Sequence, residues 1–148
     1  GPSAIAANEL IVARYTSNAG QTITTGTDTV VNFEDKDVDS HGAVTVGASW
    51  KFTAPIAGTY CVAATVAMVA NDGGSRVIKL RKNGTDYCYL DNHLSDGSGQ
   101  NDYTSGSALV SLVPGDYVDV VYFQNTGISK NLVSDGLANH ININRVGF

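Results

Sequence analysis

The longest apolar stretch of the chain runs from residue 60 to 70 and follows a turn signal at 55–58. Read with a period of two, it separates into Tyr60, Val62, Ala64, Val66, Met68 and Ala70 on one side and Cys61, Ala63, Thr65, Ala67 and Val69 on the other. Side chains of a strand alternate across the sheet, so one face carries the larger groups and the other mostly small ones. Thr, Val, Tyr and Cys are poor helix formers and no capping residue precedes Gly58, so the pattern predicts a long strand covered on both faces. Shorter β-rich runs are predicted at 10–15, 22–25, 29–33, 43–46, 76–82, 86–90, 107–113, 117–123 and 141–146. In the 76–82 run Ile78 and Leu80 alternate with Lys79 and Arg81, as expected of a strand with one wet face. Lys82-Asn83-Gly84-Thr85 reads as a two-residue hairpin, since Asn-Gly accommodates positive φ. Turns are expected at 71–74 and at Pro114-Gly115-Asp116, and polar connections at 34–41, 91–105 and 125–139. Roughly ten short strands without a major helix make the fold all-β, an antiparallel sandwich or barrel.

Composition sharpens this picture. At 148 residues the chain suits one two-layer domain, expected over 3–148, with Gly1-Pro2 read as the scar of a cleaved expression tag. Counting its 16 glycines, roughly 54% of the chain is apolar, against ~45–50% in ordinary domains. Charged residues make up 16%, below the usual ~25%, which implies little free surface and hence self-association. A net charge of -5 and the lack of a Lys/Arg stripe argue against nucleic acid. The sequence has no uncharged apolar segment of helical character long enough to insert into a membrane. Cys61 and Cys88 are too few for a disulfide scaffold; two free thiols and a single bridge both remain open.

The segment F-T-A-P-I-A-G-T-Y-C-V resembles the signature of the C1q-like branch of the C1q/tumour-necrosis-factor jelly rolls, with Phe52, Gly58, Tyr60 and Val62 on its positions. Phe33 with Asp39 upstream, Lys82-Asn83-Gly84, L-V-P-G-D-Y-V at 112–118 and the closing I-N-I-N-R-V-G-F extend the likeness to about 33–148. The run-in W-K-F-T-A-P is similar to the C-terminal domains of phage fibre and other virion proteins. The resemblance implies a two-sheet antiparallel jelly-roll sandwich and a homotrimer, and the chain is expected to be the C-terminal part of a longer protein. The apolar second face of the central strand and the low charge point to self-association independently. Cys61, Ala63, Thr65, Ala67 and Val69 are therefore expected at the trimer interface.

No motif for a nucleophile, zinc or phosphate is present, and His41, His93 and His140 fall in or beside predicted loops. The chain is expected not to be an enzyme. Asp35, Asp37 and Asp39 offer alternate carboxylates for calcium, which some C1q-like relatives bind. Against this stand Lys36, the missing EF-hand Gly and Glu, and the alternative of a solvated turn in which Asp39 is tied to backbone amides. The segment 87–103 has the composition of a sugar site: Tyr89 and Tyr103 for the apolar face of a ring, and Asp91, Asn92, His93, Asp96, Asn101 and Asp102 for hydroxyls. The competing reading is a solvated loop beside packed tyrosines. The expected function is attachment at a virion surface to a bacterial cell-surface glycan or another virion protein. A purely structural trimerisation module and a secreted cellular C1q-like or carbohydrate-binding module are the alternatives.

Overall fold

A computed structural model describes residues 8–69 and 73–148. The expectations for Gly1-Pro2, Ala70 and the Asn71-Asp72 half of a turn lie outside the described residues. Within them the chain forms thirteen strands and no helix: β1 Val12–Thr16, β2 Thr22–Ile23, β3 Thr29–Val30, β4 Asp35–Asp39, β5 Val44–Thr45, β6 Lys51–Thr53, β7 Gly58–Met68, β8 Ser75–Lys82, β9 Thr85–Leu94, β10 Asp102–Leu112, β11 Tyr117–Gln124, β12 Lys130–Asn131 and β13 His140–Gly147. One sheet has the order β10-β7-β13-β1-β4. The other has the order β5-β6-β11-β8-β9, with β3 also pairing β11, and β12 pairs β2 separately. Strands adjacent in space come from distant parts of the chain, as in a jelly roll, and every pairing is antiparallel.

β7 is the strand the hydrophobic alternation predicts. Tyr60, Val62, Ala64, Val66 and Met68 are buried between the sheets. They meet Leu80, Ile78, Val118, Val120 and Tyr122 of the facing sheet in one core cluster. Trp50 is fully buried, donates its indole N–H to the Phe33 carbonyl at 3.0 Å, and sits edge-on to Phe33 and Tyr15. Phe52 packs edge-on against Tyr60, whose hydroxyl donates to the Ile56 carbonyl at 2.7 Å. Gly58 is required because a Cβ there would come within 2.5 Å of the Arg145 side chain and the Gly147 carbonyl. The Asn83-Gly84 hairpin forms as expected, with φ of 53° and 79°.

Two predicted loops are strands instead. The acidic run 34–41 contains β4, an edge strand paired to β1. Asp35, Lys36 and Asp37 are exposed and Asp39 is half-buried; charge on an edge strand is tolerated because it blocks further pairing. The supposed loop 91–105 is mostly the end of β9 and the start of β10, leaving a connection of only 95–101. There Asp91, His93 and Asp102, read as loop residues, turn toward the far end of the sandwich interior, where ionic pairing takes the place of apolar packing.

Candidate functional site

Register divides the eight residues expected to bind sugar among four places. Tyr89 lies opposite Lys79, and Asn92 opposite Val77, on the solvent face of the β11-β8-β9 sheet. Tyr103 lies opposite Ala67 on the outward face of the other sheet. Asp96 and Asn101 belong to the exposed 95–101 connection, where Asp96 accepts from the Ser98 amide at 2.9 Å. Asp91, His93 and Asp102 turn toward the interior and bind one another. A single sugar pocket containing all eight is therefore ruled out by the pleat of two different sheets.

The inward group forms a chain of alternating charge. His93 Nε2 is 2.9 Å from Asp102 Oδ1, and its Nδ1 is 3.3 Å from Asp91 Oδ2. Asp102 is also 3.5 Å from Nε of the fully buried Arg76. Asp91 in turn accepts from the Ser105 amide at 3.2 Å, tying β9 to β10 across the gap between sheets. Burial alone would push the His93 imidazole down, but hydrogen bonds and charges from Asp102 and Asp91 outweigh it and raise its pKa. Nearby, burial pushes the Tyr122 phenol up to about 12. Mutually paired, and buried at its Asp102 and Arg76 end, this cluster has the character of a structural element rather than of a ligand cradle.

The solvent face of the same end carries what the sequence reading missed. Asp28, Val77, Lys79, Tyr89 and Phe123 line an open groove of about 250 Å³, and a second hollow of about 280 Å³ continues past Lys79 and Tyr89 to Asp86, Tyr87 and Cys88. Tyr89 is 64% exposed. Lys79 Nζ bridges Asp28 at 2.8 Å and Asp86 at 2.9 Å, and hydrogen bonds from these carboxylates raise its pKa, so it stays cationic. An aromatic wall beside fixed carboxylates and an ammonium offers apolar contact together with donors and acceptors. Tyr89 and Asn92 of this face were legible as candidates, and Lys79 as part of a wet strand face; Asp28 and Phe123 reach it through long-range pairing that no local pattern records.

The outward face of the five-stranded sheet is nearly uncharged across β10, β7, β13 and β1, and its carboxylates gather at the β4 edge, where Asp35 lies opposite Thr16 and Asp37 pairs with Arg14. Ser105, Thr65, His140 and Thr16 form one row, Ser107, Ala63, Asn142 and Arg14 the next, and Leu109, Cys61, Asn144 and Val12 a third. None of these residues is buried, and Arg14, paired with Asp37 at 3.0 Å, carries the one full charge; burial and then Arg14 hold His140 low, hence neutral. Among the residues expected at an interface, Cys61, Ala63 and Thr65 lie open on it. Ala67 does not: it is fully buried beneath the chain's own 131–139 segment, bonded by Asn139 and Val133, and Val69 donates to the Asn131 carbonyl. Both cysteines are free thiols, Cys61 on this face and Cys88 opposite Leu80.

The three candidate calcium ligands do not converge. Asp37 pairs with Arg14, Asp35 is exposed at the edge, and Asp39 accepts from Tyr15 Oη and the Ala43 and Val44 amides at 2.8–3.0 Å. Among the described residues, no group of three or more His, Cys, Asp or Glu side chains is arranged to hold a metal ion.

Sheet order, jelly-roll connections and a core built on Phe52, Gly58 and Tyr60 define the class of C1q/TNF-like sandwiches. The family model for the C1q domain matches residues 14–140, and the chain belongs to that family. Its structure is similar to that of the Eiger TNF of S. frugiperda, with a TM-score of 0.66, 12% identity, and 93% of each chain covered. It is also similar to murine APRIL, with a TM-score of 0.65, 10% identity, and 93% and 100% of the two chains covered. The globular domain of zebrafish complement 1qA aligns with a TM-score of 0.64, 15% identity, and 94% and 96% covered. No protein of curated function matches the sequence.

Proposed function

We propose that this domain is a homotrimeric, non-catalytic attachment module, displayed on a virion surface, that holds a bacterial cell-surface glycan in the Tyr89 groove. C1q- and TNF-type domains are in general trimeric, ligand-binding and non-enzymatic, and often extracellular. The observation that carries self-association is the outward face across β10, β7, β13 and β1, where three rows of side chains hold a single full charge and the carboxylates Asp35 and Asp37 stay at the β4 edge. Three protomers packed through it would present three grooves together, and multivalency makes weak sites useful on a repetitive polymer. The Tyr89 ring suits the C–H face of a pyranose, and Asp28, Lys79 and Asn92 suit its hydroxyls. The W-K-F-T-A-P run-in favours a virion context, in which this domain would end a longer fibre or capsid-surface protein.

The test is adsorption of the labelled domain to bacterial cells and to their extracted polysaccharide. Saturable binding that free polysaccharide competes away supports the reading. A trimer that binds neither cells nor polysaccharide would favour a purely structural role. A second reading, a secreted cellular C1q-type binding module, is favoured by the likeness to complement 1qA; it predicts binding to a protein or animal glycan instead.

A further inference from the structure

Where β9 leaves one sheet and β10 enters the other, the two sheet edges nearly touch, and the contact has two parts. One is steric: a Cβ on Gly106 would overlap the Leu90 carbonyl, so glycine lets the backbones close at the bulge in β9. The other is the row Asp91, His93, Asp102 and Arg76. We propose that this row is a proton-operated latch across the seam between the sheets, closed when His93 is charged and slackened when it is neutral.

The reasoning rests on hydrogen-bond inventory. A charged imidazole donates from both nitrogens and so engages Asp91 Oδ2 and Asp102 Oδ1 together. A neutral imidazole has one N–H, so one of the two contacts becomes a lone pair facing a carboxylate. Among the described residues, the groups facing His93 are Arg76 from β8, Asp91 from its own strand and Asp102 from β10, with the Tyr122 phenol on β11 close enough to feel the same charges. With His93 charged, the row alternates in sign and is neutral in sum. Without that proton two carboxylates face one guanidinium, in a site where Asp102 is buried and Arg76 fully so. The strain falls on Asp91 and its bond to the Ser105 amide, the more exposed end of the row.

The sign follows from the direction of the shift. A pKa raised in the closed state means stabilisation that is complete at low pH and is lost as pH rises through the His93 titration. The closed-to-open ratio changes about tenfold for each unit by which the two states differ in pKa. β10 also carries Ser105, Ser107 and Leu109 on its outward side, so protonation would firm one edge of the proposed self-association face.

The test is amide hydrogen exchange of the 91–106 segment, expressed as protection factors from pH 5 to 9, alongside an NMR titration of the His93 ring. In the intact domain, protection is expected to fall as His93 loses its proton. His93→Gln should flatten that dependence, and Asp91→Asn should move it to lower pH. Protection that is flat with pH in the intact domain, or that falls identically in His93→Gln, would overturn the latch. Should His93→Gln not fold, an unshifted profile in Asp91→Asn would overturn it equally.

Discussion

Removing the exposed ring of Tyr89 separates ligand binding from folding. The residue stands on β9, an edge strand, and its 64% exposure means the core loses little when it is cut back to alanine. The stability cost should stay near ~0.5 kcal/mol, as for other surface sites. Binding should suffer more. A sugar ring stacked on one face of the phenol would cover about 50 Å² of apolar surface, worth about 1.3 kcal/mol at 25 cal/mol per Å². That is about tenfold in affinity for one site. Three sites engaged at once compound the loss toward ~1,000-fold on a polymer or a cell. Calorimetry with a soluble oligosaccharide cut from the host polysaccharide reads the single-site loss, and retention on whole cells reads the compounded one. Tyr89→Ala protein of unchanged mass and melting temperature that still bound cells within twofold of the parent would refute the placement of the ligand in this groove. Binding by the parent would then stand while the site would have to be sought elsewhere.

Other expectations follow from the same geometry. Thr65→Lys puts a charge into the row of Ser105 and His140, on strands that present none to that face; at about 3 kcal/mol per unpaired buried charge the trimer should fall to folded monomers, and a trimeric variant by sedimentation would show that this face is not the interface. Trp50→Phe strips the Phe33 carbonyl of its donor and leaves a gap beside Tyr15, together about 2–4 kcal/mol. A drop of about 5–15 °C in Tm is expected, and a drop below one degree would contradict the packing described. Gly106→Ala pushes a methyl group into the Leu90 carbonyl and should cost about 1–3 kcal/mol in urea unfolding, with exchange rising first in β9 and β10.

The hydrophobic alternation of β7 was legible because one face of that strand is uniformly apolar, and the Asn83-Gly84 hairpin because its φ angles select its residues. The motif residues Phe52, Gly58 and Tyr60 carried the fold because they are packing necessities in its core. The strands hidden in 34–41 and 91–105 were not legible. β4 is an edge whose charges oppose further pairing, and the ends of β9 and β10 turn Asp91, His93 and Asp102 inward, where they pair with one another and with Arg76 of β8. Local polarity reports neither arrangement, because each depends on a partner tens of residues away, such as Arg76 with Asp102. The groove was half legible for the same reason: Tyr89 announced itself, while Asp28 and Phe123 arrive from other parts of the chain.

Everything proposed for attachment rests on three domains acting as one. The solution mass, by light scattering on a size-exclusion column at neutral pH, tests this most directly. The account predicts a species of three times the 15.5 kDa chain, stable on dilution through the micromolar range. A monomer of 15.5 kDa would contradict it: the sparsely charged face of the five-stranded sheet would then serve another partner, and the grooves would act singly.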